Sequence, residues 1–255
     1  MNEWWQDFFK PIVGEILSAL KTEQSEAEVD QVIKRSRAKP PLNMLDLACG
    51  AGRHSLLFAA HGLTVTGLDY SKGFLKTAKT TARKARRDIR FIHGDMRELK
   101  SHFAANEFDL VVSLSNNFGY FRTRRDDFKV LQAVHFVLRP GGAFVLNTLN
   151  GPGLSQRPMS FGYEPLRNVF LIDAPWYDVR NRRTQTNWTI IDARRAKARI
   201  FRLSFKQNIY SHDELTKLLT AAGFSIEATW GTLTGGPFRR RKSPQQTILA
   251  RKRAV

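Results

Sequence analysis

Residues 44–54 read MLDLACGAGRH, and this segment decides the fold of the chain. An apolar run ends in a turn that contains Gly50 and Gly52, and a helical pattern follows from Arg53 to His61. Glycine in such a turn permits positive φ angles and lets a ligand approach the backbone closely. We therefore predict a strand over Leu42–Ala48, a ligand-binding turn, and a helix behind it.

The same alternation continues along the chain on the carboxyl side of this turn. Further strands are predicted at 63–69, 89–93, 108–114 and 143–148, with helices at 71–87 and 126–138, the last one stopped by Pro140-Gly141-Gly142. The strands lack polar alternation, as expected when both faces of a sheet are covered. Five strands separated by helices predict a parallel, doubly wound sheet.

The amino-terminal 40 residues precede this pattern and read as helical. Apolar residues recur at steps of three and four between residues 4 and 20, which predicts an amphipathic helix: Trp4, Trp5, Phe8, Phe9, Ile12, Val13, Ile16, Leu17 and Leu20. Ser25 with Glu28 three residues on predicts a capping box that opens a second helix. Residues 1–40 are interpreted as a helical lead-in, with a lid over the ligand as the alternative.

The carboxyl-terminal part departs from the α/β pattern and then returns to it. Residues 155–209 read as a β-rich insertion, with a turn at Asn181-Arg182. A helix over 211–222 is predicted from a capping box formed by Ser211 and Glu214, and Gly223 ends it. Two strands, 224–230 and 246–251, close a single domain that spans residues 1–255.

The composition excludes several classes of protein. Of 255 residues, 42% are hydrophobic and 25% are charged, which excludes a disordered chain. The single cysteine, Cys49, cannot form an internal disulfide, and no apolar run reaches the length of a membrane-spanning helix. The amino terminus lacks the positive charge of a signal peptide. We expect a cytoplasmic protein without a membrane partner.

Net charge is the second compositional feature of note. The formal charge is +18, of which residues 1–150 contribute +6 and residues 151–255 contribute +12. A basic surface is typical of proteins that bind nucleic acid, although it also occurs without such a function.

Asp69 narrows the choice of ligand. It lies 19 residues after Gly50, at the end of the second strand, where a carboxylate can accept both hydroxyls of an adenosine ribose. A dinucleotide site would place a third glycine where Ser55 stands, and Asp46 would oppose a pyrophosphate. No Gly-Lys-Ser/Thr follows, so the turn is not a P-loop. A cationic adenosine ligand without phosphate, such as S-adenosylmethionine, fits better.

Several segments in order along the chain carry a family resemblance. They are DLACGAGRH at 46–54, VTGLDYS at 65–71, GDM at 94–96, FDLV at 108–111, LRPGG at 138–142 and AAGF at 221–224. From about residue 42 to 253, except much of the insertion, the chain resembles the class I S-adenosylmethionine-dependent methyltransferases. With NNFGYF at 116–121, it is similar to a bacterial branch that acts on small molecules.

The resemblance implies a Rossmann-like, doubly wound, seven-stranded sheet, mostly parallel with an antiparallel last strand, and a β-rich insertion over the methyl acceptor. It also implies a set of cofactor-binding residues: Asp46, Ala48, Cys49, Gly50, Ala51, Gly52, Arg53, Asp69, Tyr70, Ser71, Gly94, Asp95, Met96, Leu114, Ser115 and Asn116. In this set Asp46 holds the ammonium, Asp69 the ribose and Asp95 the adenine amino group. Arg53 either meets the cofactor carboxylate or pairs with a surface acid.

The expected activity is methyl transfer to a nitrogen or oxygen nucleophile of a small molecule, which is anionic if the basic residues surround its entrance. Tyr120, Tyr163 and Tyr210 are candidate acceptor-binding residues, each with ordinary packing as the alternative. No catalytic residue is assigned, because positioning alone accelerates displacement at an activated carbon. The six histidines have no metal-ligand spacing, so no metal is predicted.

Two other functions remain open at the level of sequence. An RNA methyltransferase would use the basic carboxyl-terminal part, where Arg195, Lys197 and Arg199 are expected on one face of a strand over 195–205. The 239–242 cluster, with Trp230 and Phe238 near it, is a second basic candidate. The other alternative is a protein that binds S-adenosylmethionine without catalysis. The sequence predicts no oligomeric state.

Overall fold

The computed structural model describes residues 8, 11–19, 24–154 and 161–253. The predictions for Trp4, Trp5, Phe9 and Leu20, and for the first residues of the insertion, lie outside the described residues. Within the described part of the chain, no helix is long and apolar enough to cross a membrane.

A seven-stranded sheet forms the centre of the molecule. Its strands are β1 (Asn43–Leu47), β2 (Thr64–Asp69), β3 (Arg90–His93), β4 (Phe108–Ser113), β5 (Leu138–Leu149), β10 (Phe224–Trp230) and β11 (Gln245–Lys252). They follow the order β10-β11-β5-β4-β1-β2-β3. Strands β1 to β5 pair in parallel, and β11 runs antiparallel to both β5 and β10. The predicted Rossmann-like sheet with its antiparallel last strand is therefore confirmed.

Helices cover both faces of this sheet. They are α1 (Pro11–Ala19), α2 (Ser25–Ser36), α3 (Arg53–Ala60), α4 (Lys72–Lys84), α5 (Arg124–Val137), the short α6 (Gly151–Leu154) and α7 (His212–Ala221), with a 3-10 turn at Leu99–Ser101. The apolar residues of β1 and β4 alternate between two buried clusters, one on each face. This two-sided burial explains why these strands carry no polar alternation.

A second, antiparallel sheet lies in the range predicted for the insertion. It contains β6 (Phe161–Leu166), β7 (Val169–Asp178), β8 (Arg183–Asp192) and β9 (Arg199–Asn208), in that order. Its inner face contributes Leu171, Trp188 and Ile190 to a buried cluster that also contains Val13 and Ile16 of α1. Helix α1 thus lies between the second sheet and α4, whose Phe74 belongs to the same cluster.

The insertion leaves and rejoins the domain at one place. Asn150 and Tyr210 form an isolated parallel bridge, and the Gly151 N–H donates to the Tyr210 carbonyl. At its carboxyl end, Asn208 donates its N–H to the Gly119 carbonyl over 2.7 Å. The two ends of the second sheet are therefore fixed to the main sheet and to the loop that follows β4.

Three local predictions are wrong. Strand β5 begins at Leu138, so Pro140-Gly141-Gly142 lies within the strand, where its exposed residues accompany a register shift against β4. Strand β9 begins only at Arg199, so Arg195 and Lys197 lie in the preceding turn. Glu28 does not form a capping box, since α2 starts after Gln24 without a side-chain cap.

Candidate functional site

A cavity opens at the carboxyl ends of β1 to β4, where ligands bind in doubly wound sheets. Most of the predicted cofactor residues line it: Asp46, Ala48, Cys49, Gly50, Ala51, Arg53, Asp69, Tyr70, Gly94, Asp95, Met96, Leu114 and Ser115. The connections that follow successive parallel strands bring these residues together from four separate segments.

Asp69 organises the turn after β1. Its carboxylate accepts hydrogen bonds from the Gly50 N–H over 2.8 Å and from the Ser71 N–H over 2.7 Å. Burial raises the pKa of Asp69 to about 6, and the negative charge of Asp46 adds to this shift, whereas the two N–H donors oppose it. The ionised carboxylate retains acceptor capacity toward the cavity.

Asp46 lies near the carboxyl end of β1 and is a buried part of the cavity wall. Only 3% of the residue is exposed, and its carboxylate accepts the Ser55 hydroxyl proton over 2.6 Å. Burial raises the pKa of Asp46, although the charges of His54 and Arg53 and the Ser55 hydroxyl oppose the shift. A buried carboxylate favours a cationic group as its neighbour.

Arg53, His54 and Glu28 form an ion network beside Asp46. Glu28 of α2 accepts hydrogen bonds from Arg53 Nη1 at 3.2 Å and from His54 Nε2 at 2.7 Å. Arg53 also donates to the Ser25 hydroxyl and, over 3.1 Å, to Ser115 Oγ. The partner of Arg53 is thus a partly buried acid of α2 rather than a surface acid, and the pair fixes α2 against α3.

Asp95 follows β3 and holds a different cation. Its carboxylate accepts two hydrogen bonds from Arg97 Nε at 3.1 Å and one from Arg97 Nη2 at 2.6 Å. The Arg97 guanidinium stacks 4.2 Å from the ring centre of Phe121. Asp95 therefore links the cavity wall after β3 to the loop after β4.

Three of the predicted cofactor residues do not line the cavity. Gly52 has φ +80°, and a Cβ there would lie 3.0 Å from Ala78 Cβ, so this glycine permits close packing of the turn against α4. Ser71 caps α4 by accepting the Phe74 N–H. Asn116 faces away, exchanging side-chain hydrogen bonds with Gln207.

The loop after β4 nevertheless supplies the far wall of the cavity. Ser115 and Asn116 both adopt left-handed backbone conformations, with φ 60° and 67°. These two residues turn Asn117 into the cavity, where its side chain donates to the Ala48 carbonyl over 3.0 Å. Such consecutive left-handed residues are sparse in proteins and cluster at functional sites.

Tyr120 lines the cavity at the same end. Burial raises the pKa of its phenol above the ordinary value, and the charge of Asp69 adds to the shift. The phenol therefore stays protonated at neutral pH and does not act as a base.

Tyr163 and Tyr210 are not brought to this cavity. Tyr163 packs against the cluster between α1 and the second sheet. Tyr210 is 1% exposed and donates its hydroxyl proton to Asp127 over 2.6 Å. Asp127 also accepts from Asn208 Nδ2 at 2.7 Å, and burial raises its pKa to about 6 despite these donors.

Other residues of the cavity wall were not assigned from sequence: Gly14, Leu17, His54, Leu68, Phe74, Asn117 and Phe121. Gly14 and Leu17 belong to α1. The amphipathic pattern of the sequence predicts this helix, but it does not indicate which of its residues face the cavity. Asn117 adjoins the assigned Asn116. Phe121 lies in the segment 116–121 that carries the family resemblance, but nothing in that segment indicates that its side chain lines the cavity.

The aromatic residues near the basic segments do not form an exposed platform on which nucleic-acid bases could stack. Trp230 is 1% exposed and lies under the Arg35 guanidinium, so it offers no ring to a base. Phe238 packs against His212 at a ring distance of 4.9 Å. The side chains of Arg194 and Arg199 pair with Asp192.

The sheet order is that of a Rossmann-like domain, and the glycine turn and the acidic residues at the ends of β1, β2 and β3 suit an adenosine-containing ligand. Residues 44–142 match the methyltransferase domain family. This match agrees with the resemblance of the sequence to the class I S-adenosylmethionine-dependent methyltransferases.

Similar proteins agree with this class. A ubiquinone biosynthesis O-methyltransferase of Ruegeria pomeroyi is 30% identical over 58% of this chain and 59% of its own length. A glycine/sarcosine N-methyltransferase of Aphanothece halophytica is 29% identical over 50% and 48%. The chain thus spans about half the length of these curated relatives. A crystal structure of an S-adenosylmethionine-dependent methyltransferase from Clostridium acetobutylicum matches the fold with TM-score 0.79 and 17% identity, covering 93% of this chain and 94% of that one.

Proposed function

We propose that the protein transfers a methyl group from S-adenosylmethionine to a nitrogen or oxygen nucleophile of a small molecule. The observation that carries this proposal is the placement of three carboxylates, Asp46, Asp69 and Asp95, at the ends of adjacent parallel strands around one cavity. Three separate acceptors around one cavity suit a ligand with a cationic end, a diol and an amine-bearing ring.

Each carboxylate suits a different part of the cofactor. Asp46, buried beneath the Gly50 turn, suits the ammonium of the methionyl group. Asp69 suits the ribose hydroxyls, because its ionised oxygens accept hydrogen bonds. Asp95 and Met96 suit the adenine, which would lie near the exposed ring of Tyr70 beside His93. No phosphate-binding loop is needed for such a ligand.

The sulfonium supplies a methyl carbon that is already activated toward displacement. The chain's own residues then have to position the acceptor in line with that carbon and exclude water. Leu114 and Ser115 lie where the sulfonium is expected, at the end of β4. Tyr120 and Asn117 offer neutral hydrogen-bonding groups at the acceptor end, so orientation by hydrogen bonds is the expected contribution.

A small acceptor is favoured by the way in which the cavity is bounded. Helix α1 contributes Gly14 and Leu17 to the wall, and Phe121 lines the opposite loop. The second sheet packs on the outer side of α1. A cavity bounded by α1 and by the loop after β4 suits a small acceptor. The names of the O- and N-methyltransferase relatives are in accord with this proposal.

The proposal is tested with S-adenosylmethionine labelled in its methyl group, incubated with the protein and a cell extract that is then separated into small-molecule, RNA and protein fractions. We expect label in the small-molecule fraction, and less of it at subsaturating S-adenosylmethionine when Asp69→Ala replaces the wild type. Label in RNA would instead support the nucleic-acid alternative. Calorimetric binding of S-adenosylhomocysteine without transfer to any fraction would support a non-catalytic binding protein.

A further inference from the structure

The second sheet carries an exposed apolar surface on the side away from α1. Among the described residues, six large hydrophobic side chains are exposed, and five belong to this sheet or its β7–β8 turn: Phe170, Ile172, Trp176, Val179 and Ile200. Their exposed fractions range from 43% to 64%. The sixth, Tyr70, lines the cofactor cavity. Exposed apolar side chains gathered on one face mark an interaction surface.

Strand register places these side chains side by side. Phe170, Ile191 and Ile200 are directly opposed across β7, β8 and β9, and Ile172 begins the adjacent row, which ends in Arg202. Residues opposed across antiparallel strands share a face. Along each strand, the residues of this outer face alternate with the inner residues that pack on α1. We define the outer face as the residues of these two rows, every second residue of β7 from Ile172 to Asp178, and the residues opposed to them in β8 and β9.

The charge of the outer face differs from that of the whole chain. Its strand residues include three bases, Arg183, Arg202 and Lys206, and two acids, Asp178 and Glu164, with Glu164 at the Phe170 end of β6. These five residues sum to a net charge of +1, whereas the chain as a whole carries +18. A polyanion favours a surface of strong positive charge. A second copy of this chain, repelled elsewhere by like charge, can approach closely only where the surface is close to neutral.

We propose that the outer face is the interface of a homodimer, with a two-fold axis parallel to its strands. Such an axis places β9 of one copy opposite β6 of the other. Each row then faces the same row of the second copy, because positions along the strand direction do not change. The apolar row of Phe170, Ile191 and Ile200 then meets the same row of the second copy. Arg202 lies toward Glu164 of the second copy, so the charged rim is self-complementary.

The dimensions of the face suit a dimer. Strands of ten residues extend about 33 Å, and four strands at their usual spacing extend about 19 Å, which gives a footprint of roughly 600 Å² before side-chain relief is counted. Stable interfaces bury about 800 Å² per partner. The apolar row at one end and a rim of charges at its borders also match the usual layout of an interface.

Sedimentation equilibrium of the full chain tests the proposal. We expect twice the mass of one chain, and Ile172→Asp with Ile200→Asp should weaken association about 100-fold or more, because two buried apolar anchors become charges. The matched control is Ser225→Asp, which adds one charge at an exposed position of β10, an edge strand of the main sheet. Circular dichroism and S-adenosylhomocysteine binding verify that each variant is folded.

A charge exchange tests the axis itself. Arg202→Glu and Glu164→Arg should each weaken association about fivefold. An equimolar mixture of the two variants, or one chain carrying both, should restore it. A monomer at all concentrations overturns the proposal, as does a dimer insensitive to the two aspartates. A monomer that binds a uridine oligonucleotide through Trp176, detected by fluorescence quenching, would overturn it in favour of a nucleic-acid surface.

Discussion

Replacement of Asp69 by alanine tests the assignment of the cofactor site most directly. The carboxylate accepts the Gly50 and Ser71 N–H groups at 2.8 and 2.7 Å, and the proposed ribose hydroxyls would add to these. Removing the carboxylate leaves the ribose hydroxyls without their acceptor in the bound state, which costs about 1–3 kcal/mol of binding free energy. The affinity for S-adenosylhomocysteine should therefore fall about 5- to 150-fold, as measured by isothermal titration calorimetry.

The pH dependence of the same binding provides a second measurement. Because the pKa of Asp69 is raised to about 6, the carboxylate loses its charge as the pH falls through that value. Only the ionised form offers both oxygens as acceptors, so the affinity of the wild type should be about tenfold lower at pH 5 than at pH 7. The Asp69→Ala variant should lack this dependence.

Asp109→Ala serves as the control, since Asp109 also accepts a backbone N–H, from Asn43 at 2.9 Å, and pairs with Arg139. It lies near the amino end of β4, whereas the cavity lies at the carboxyl ends of the parallel strands. This variant should lower the free energy of unfolding without changing the affinity. If Asp69→Ala binds S-adenosylhomocysteine as tightly as the wild type, or if wild-type affinity is constant from pH 7 to pH 5, the ribose assignment is wrong.

Three further predictions concern stability. Gly52→Ala should lower the free energy of unfolding by about 1–3 kcal/mol in urea denaturation, because the residue has φ +80° and its new Cβ would meet Ala78; an unchanged midpoint would contradict this. Gln207→Ala should cost a similar amount, about 1–3 kcal/mol, because the Phe118 carbonyl loses a donor at 2.6 Å, while binding of S-adenosylhomocysteine stays constant. For Asp127, the pKa near 6 exceeds its ordinary value, so protonation favours the folded state, and this contribution to stability is lost as the pH rises from about 4 through 6. Asp127→Asn should reduce that loss when unfolding is followed by fluorescence at several pH values, and an unchanged slope would be inconsistent with the shift.

The main sheet and the cofactor turn could be predicted from sequence because their determinants are local. A glycine turn after one strand, and carboxylates at the ends of the next two, lie at fixed positions relative to their own strands. Parallel order then brings strand ends together whatever the rest of the chain does. Asp46, Asp69 and Asp95 therefore reach one cavity as the family resemblance implied.

Other features depend on contacts between distant segments and could not be predicted. Glu28 has the spacing of a capping box, but its carboxylate is held by Arg53 and His54, 25 and 26 residues away. Likewise, Asn116 and Asn117 are equivalent in sequence, and only two successive left-handed residues decide which side chain enters the cavity.

Tyr210 illustrates the same limit. Its position after the insertion made it a candidate for the acceptor site, yet its hydroxyl is committed to Asp127, 83 residues earlier. The segment of Pro140, Gly141 and Gly142 also has the composition of a turn. It nevertheless lies within β5, because Leu138 before it pairs with Phe108 and Ala143 after it pairs with Leu110, so that the segment forms an irregularity inside the strand.

The bridge between Asn150 and Tyr210 has a consequence for how this domain can change. Since both ends of the excursion from the main sheet are held at one point, the intervening chain acts as a closed loop whose ends do not depend on its contents. The entropy of closing such a loop grows slowly, by about 0.6 kcal/mol for each doubling of length. Inserts of very different size can therefore occupy this point, so that a different insert can be acquired without altering the strands and turns that line the cavity.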